Sequence, residues 1–470
     1  MKKMREPKSV FVKGFDDPEY IRIIANFKRF LEKWSLDADF REVYEQNSEK
    51  AIADSGLDVE PEAIKLMLDE EKARNLQKAL TEKSLTWKDL PESYVLYRAF
   101  IQEKLSFREK LRIDLCAPKD SLFNAWRERQ ERRCWLEMGP SARSMVQAPL
   151  MFELSEGCSV GCPFCGIAAK GLCGIFRYSE EHAQLWQDVL SRLHRLIGDA
   201  AGRGTCYYAC EGLDNPDYER FIKDYFDEFG VVPQTTTAAS TRNIERTKAL
   251  LRFGKENDPH TDRFSVLSTA MRDQLFSSFS PEELLMVELL PQFPEAPCCK
   301  LTKVGRNRND EQTDAVGGTI ACASGFIVNM QEKSLRLMTP FVSDQKHPTG
   351  EWILEKCSFT SAEDLEEQVR RMMSQYMTKS LELNCCCKAA CDFRLEEKEG
   401  RIWVYGHAIG LALMDTAIRQ DTLDRMLALL REGTYTGYDI LDALPEGTII
   451  AHSILLLKLL WEHGLIDQSL

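Results

Sequence analysis

Cys158-Ser-Val-Gly-Cys162-Pro-Phe-Cys165 follows directly on the apolar run Met151-Phe-Glu-Leu154, and this pairing of a strand-like run with a three-cysteine loop decides the fold. Three thiolates at this spacing suit a cubane of four irons and leave the fourth iron open. Zinc is the competing ligand, but it takes four donors, usually from paired CxxC units, and the loop offers three. Gly157 and Gly161 permit the tight wrapping that such a loop needs.

Outward from the loop, residues 146–345 alternate apolar runs (149–154, 205–209, 231–239, 264–267) with helical patterns (180–196, 218–229, 243–253). That alternation predicts βα units around a parallel sheet. Residues 303–306 and 318–329 read as its late strands. The preceding stretch, 1–145, is helical throughout. Asp17-Pro18 starts a helix whose Ile23, Ile24, Phe27, Phe30, Leu31 and Trp34 recur at three- and four-residue steps, and further helical patterns cover 40–53, 61–68 and 121–138. Residues 346–395 form a connecting region with a helix at 363–376 and a knot of Cys385, Cys386, Cys387 and Cys391. In 396–470 a hairpin at 400–413 precedes helices at 422–431, 438–444 and 449–463, the order of a small winged helix.

Of 470 residues, 44% are hydrophobic and 29% charged, a globular composition. A net charge of −13 argues against a broad nucleic-acid surface, and Lys458 is the one Lys or Arg between Ile449 and His463, poor equipment for a phosphate-facing helix. No apolar run is long enough for a membrane span, and no secretory signal pattern opens the chain, so a cytoplasmic protein is expected. There the 16 cysteines would stay reduced, and their bunching points to metal rather than disulfides. Cys116 and Cys134 read as plain buried thiols.

The C-x3-C-x-Φ-C loop after a strand resembles the signature of the radical S-adenosylmethionine superfamily. The resemblance implies an α/β fold, a partial (β/α)6 barrel. Its strand ends would present a 4Fe–4S cluster on Cys158, Cys162 and Cys165, with S-adenosylmethionine on the open iron and Phe164 near the adenine. Residues 207–216, Tyr-Tyr-Ala-Cys-Glu-Gly-Leu-Asp-Asn-Pro, resemble the family's GGEP loop, with Glu211 in the place of the acid that holds the methionyl amino group. Ala209 and Cys210 replace its two glycines and Gly212 its proline. Hydroxyls at strand ends, Thr237, Ser240 and Ser268, are further candidates for the cofactor.

The C-terminal residues 401–466 resemble the winged-helix module that binds leader peptides in the maturation of ribosomally made peptides. Residues 30–42 and 55–63 resemble Nif11-type leader helices. Together these features resemble the radical epimerases that act on proteusin precursors. That implies removal of a Cα hydrogen from an L-residue and return of hydrogen to the opposite face by a thiol. Cys357, which stands alone in sequence, is the first candidate donor and Cys322 the second. Electrons would come from a flavodoxin- or ferredoxin-type donor, and a precursor peptide with its leader would be the partner. The four-cysteine knot would hold any second iron–sulfur cluster. A thioether-forming or backbone-excising radical enzyme, or a leader-binding iron–sulfur protein without turnover, is the alternative.

Overall fold

Residues 5–299, 301–309 and 318–469 are described in this computed structural model. The stretch 310–317 of the expected barrel lies outside them. The chain is mixed α/β and divides into two units, each assembled from two stretches: Met1–Lys110 with Glu211–Leu301, and Leu111–Cys210 with Thr302–Leu470.

In the first unit, helix Pro18–Leu36 begins where the Asp17 side chain accepts the Tyr20 N–H. Its apolar face, Tyr20, Ile24, Phe27 and Phe30, is wholly buried, and Phe27 stacks on Tyr97 of helix Glu92–Lys110 at 4.6 Å. The helix expected over 40–53 is two, Ala38–Gln46 and Ser48–Asp54, because Asn47 leaves the helical conformation and caps the second by accepting from Lys50 N. Helices Tyr218–Phe229, Ile244–Asn257 and Thr269–Ser278 alternate with a parallel sheet of Thr236–Thr237, Asp262–Val266 and Val287–Pro291. The run at 231–239 thus yields a two-residue strand. Pro233, which has no N–H to give a ladder, precedes it. Glu288 in the last strand takes Lys104 at 2.7 Å and Arg263 at 2.9 Å, tying sheet to helix.

The second unit is built on a four-stranded sheet. Ala148–Glu153 pairs in parallel with Ala323–Asn329, which continues antiparallel to Ser334–Pro340 and then Glu351–Ser358. One face, bearing Leu150, Phe152 and Phe326, is covered by helices. Phe326 meets Phe123 of Ser121–Met138 at 5.6 Å, and Phe152 meets Trp186 of Glu180–Ile197 at 4.8 Å. Residues 205–209 are not a strand as expected: the chain passes so close to the first strand that a Cβ on Gly204 would lie 1.7 Å from the Leu150 carbonyl. One ladder-like bond, Phe152 N–H to Thr205 O at 2.9 Å, is what remains of the pairing. Residues 303–306 likewise contain no named strand, only the start of the turn Gly305–Asn307. The hairpin expected at 400–413 is part of a three-stranded meander, Arg394–Lys398, Arg401–Tyr405 and Gly410–Met414. Helices Gln420–Glu432, Gly437–Asp442 and Ile450–Glu462 follow and close a core of Leu423, Met426, Leu430, Leu456 and Leu460. Among the described residues no helix is long and apolar enough to cross a membrane.

In the first unit's sheet, His260 is bonded through Nδ1 to the Asp258 carbonyl (2.6 Å) and through Nε2 to Asp262 (3.1 Å). Burial pulls its pKa down, but Asp262 and the Asp258 carbonyl outweigh that and raise it to about 9, from 6.5. The stabilisation from the protonated ring is therefore whole below pH 6.5 and is lost as pH rises through 9. At 1.36 kcal/mol per pKa unit it amounts to roughly 3 kcal/mol. The urea midpoint of the wild type should fall over that window, and His260→Gln should flatten the fall. An equally steep fall in the variant would remove His260 as its cause.

Candidate functional site

Glu153 ends the first strand of the second unit and is 1% exposed. A buried carboxylate is costly unless its oxygens are satisfied. Here Oε1 accepts from Ala209 N (2.8 Å) and Arg336 Nη2 (2.7 Å), and Oε2 from Asn329 Nδ2 (3.0 Å). One side chain thereby ties the ends of two strands to a third strand and to the segment before Glu211. Nothing in the sequence flagged it beyond an acid closing an apolar run.

The cysteine loop begins five residues later. Cys158 N–H donates to the Lys170 carbonyl at 2.9 Å, and Lys170 pairs with Glu156 and with Glu332, which stands in the turn after Ala323–Asn329. Arg306 grips the middle: its N–H donates to the Cys165 carbonyl (3.0 Å), and its guanidinium donates to the Cys162 carbonyl (2.8 Å) and to that of Ala169. The approach is possible because Gly305, at φ +61°, has no Cβ, which would sit 2.2 Å from the Gly166 carbonyl oxygen. Gly157, at φ +81°, similarly lets Gly171 close against it.

Cys158, Cys162 and Cys165 are half-buried thiols in no disulfide, and Cys165 Sγ accepts the Ala169 N–H at 3.4 Å. Hydrogen bonds to sulfur of this kind tune the potential of a thiolate-held cluster. Among the described residues no three His, Cys, Asp or Glu side chains converge where a single metal ion could sit. Three thiols in the loop match the three irons that a cubane needs held, whereas zinc takes four donors. Phe164, next to the third cysteine, is half-buried.

The two donor candidates fall on opposite faces of the sheet. Cross-strand pairing puts Phe152, Val328, Leu335 and Cys357 in one row. Cys357 therefore looks toward the helix-covered side, beside Arg371 of helix Ala362–Tyr376, and burial raises its pKa. Cys322 packs against the cluster of Ala148, Met151 and Ile327 on the other face, and its carbonyl accepts the Ala148 N–H at 2.9 Å, at the start of the strands and opposite the Glu153 end. The Tyr208 ring lies 5.5 Å from the Arg336 guanidinium, and burial raises its phenol well above the usual range.

In the first unit, Glu211 is 4% exposed and its carboxylate takes Thr237 Oγ1 (2.6 Å), Ala238 N (2.9 Å) and Leu213 N (3.1 Å). Burial nonetheless raises its pKa. Thr237 is thus engaged by Glu211, and Ser268 caps helix Thr269–Ser278 through Met271 N. Ser240 is fully buried, and its hydroxyl has no partner among the described residues. The four-cysteine knot is spread out by a strand: in Cys386–Ala389 the pleat sends Cys387 into the core, where Cys391 also lies, and Cys386 to the other face.

No family model matches the sequence. An uncharacterized protein of Sinorhizobium fredii, y4wI, is 36% identical over 386 residues, which are 77% of this chain and 72% of that one. Among solved structures, that of BtrN in complex with AdoMet and 2-DOIA superposes with a TM-score of 0.29 at 13% identity, over 40% of this chain and 71% of that one. That superposition is too loose to bear on fold or chemistry.

If Arg306 holds the loop in shape to receive a cluster, Arg306→Ala should bind less than half the iron and sulfide of the wild type after anaerobic reconstitution. Its far-UV circular dichroism should be unchanged. Full loading of the variant would reduce Arg306 to a surface contact.

Proposed function

We propose that this chain, which belongs to the family of the y4wI protein of Sinorhizobium fredii, is a radical S-adenosylmethionine enzyme that epimerises residues of a ribosomally made peptide. The observation that carries the reading is the loop of residues 158–165, three thiols on a glycine-built turn clamped by Arg306 at a strand end. A 4Fe–4S cluster there, with S-adenosylmethionine on its open iron, supplies a deoxyadenosyl radical able to take a hydrogen atom from carbon.

The chain's own part is positioning and hydrogen return. Glu153 sets the strand ends from which the loop springs, and Arg306 keeps the loop from collapsing. After loss of its Cα hydrogen a peptide residue is planar, so configuration depends on which face is next given hydrogen. Cys357 is the first candidate donor, level with Phe152 at the strand end from which the loop springs, and Cys322, beside Ala148 at the opposite end, is the second. The S–H bond breaks as the new Cα–H bond forms. The thiyl left behind regains an electron from a flavodoxin- or ferredoxin-type donor and a proton from solvent.

The C-terminal elements support a peptide as substrate. Strand Gly410–Met414 is paired on one side only, with half-buried Leu411 and Leu413, and helix Ile450–Glu462 leaves Ile450 and Leu455 exposed. An open strand edge beside an apolar helix suits an extended leader.

Replacing Cys158, Cys162 and Cys165 together by Ala should abolish 5′-deoxyadenosine formation. Undiminished formation would refute the cluster assignment. In deuterium oxide the wild type should place one deuterium at Cα of each inverted residue, because a thiol hydrogen exchanges with solvent. Cys357→Ala should still cleave S-adenosylmethionine yet make no D-residues, whereas Cys322→Ala should retain most epimerisation. The reverse pattern would move the donor to Cys322. A lasting mass change without D-residues would replace epimerisation by cross-linking or excision.

A further inference from the structure

A recess of 460 Å³ opens in the second unit beside the free edge of strand Gly410–Met414, with Leu411 of that strand in its wall. Helix Ser121–Met138 supplies most of the rest. Four arginines line it, Arg112, Arg127, Arg132 and Arg143, against two acids, Glu128 and Glu131. Both acids are already taken: Glu131 pairs with Arg112, and Glu128 with Arg132 at 3.4 Å.

Among the described residues the remaining two guanidiniums have no carboxylate partner. Arg143 is exposed and lies over the Trp135 ring at 4.8 Å. Arg127 is 2% exposed; its Nη1 donates to the Arg112 carbonyl at 3.2 Å, and its Nε has no hydrogen-bond partner. A guanidinium so buried would ordinarily be paired, since removal from water costs several kcal/mol, on the order of the penalty for any lone buried ion. Burial accordingly lowers its pKa from the usual value. The geometry of the fork favours a planar carboxylate. Trp135 and Leu411 beside it offer apolar surface for the stem that bears that carboxylate.

We propose that this recess binds an Asp or Glu side chain of the substrate's leader, presented by a peptide strand added to the Gly410–Met414 edge. The inference rests on the reading of that edge as the leader-binding strand. Alternate residues of an added strand point to one face, so a single acidic position in the leader would be selected among apolar neighbours.

The test uses the full-length protein and two fluorescein-labelled octapeptides of alternating Val and Leu, identical except for a central Glu or Gln. Fluorescence anisotropy should show the Glu peptide binding wild type at least tenfold more tightly. That preference should vanish in Arg127→Gln and shrink at least threefold in Arg143→Gln, whose exposed site leaves the core intact even if the first variant folds poorly. Equal binding of the two peptides to wild type would overturn the recess while leaving the edge as a peptide site. Binding of neither peptide would overturn both. A Glu preference that survives in both variants would place the carboxylate elsewhere.

Discussion

A single buried carboxylate sets the frame of the second unit. Glu153 would be a liability at the end of an apolar strand if its oxygens were left bare. Its three donors come from Ala209, Asn329 and Arg336, so satisfying it holds three separate segments at the end of its strand. The cysteine loop starts where that agreement is reached. Its origin is therefore fixed by a charge in the interior rather than by the loop's own residues.

The loop itself is shaped by backbone contacts that tolerate no side chain. Gly157 and Gly305 allow carbonyls to approach where a Cβ would collide, while the carbonyls of Cys162, Cys165 and Ala169 are taken up by the backbone N–H and guanidinium of Arg306. Three of the loop's carbonyls are thereby used by protein donors, while its thiols stay half-buried and outside any disulfide. Division of labour between backbone and sulfur is what a cluster loop requires, since the sulfurs must remain available to iron.

The same economy of charge separates the two ends of the second unit. At the Glu153 end the buried carboxylate is matched by the Arg336 guanidinium and two amide donors. In the recess by Leu411, acids and arginines are mismatched, and the deficit falls on a side chain that is nearly fully buried. Imbalance of that kind stores binding energy for an anion rather than stability for the fold. His260 in the first unit shows the balanced alternative, an imidazolium with Asp262 and a carbonyl at its two nitrogens.

What the sequence determined by itself is what local spacing encodes. The helices over Pro61–Leu68, Ser121–Met138 and Tyr218–Phe229 are as their periodicity and caps require, and the three-cysteine loop sits after a strand as its pattern implied. Strand extents at 205–209 and 231–239 were not legible, because a strand exists only when a partner offers a ladder, and there Gly204 and Pro233 leave little to pair. The roles of Glu153, Arg306 and Arg127 were invisible for the same reason: each depends on groups tens to hundreds of residues away. The choice between Cys322 and Cys357 shows the limit most clearly. Isolation in sequence named Cys357 first, but where either cysteine stands relative to the loop follows from the strand register, which sets Cys357 level with Phe152 and leaves Cys322 beside Ala148 at the far end, and that register belongs to the tertiary structure.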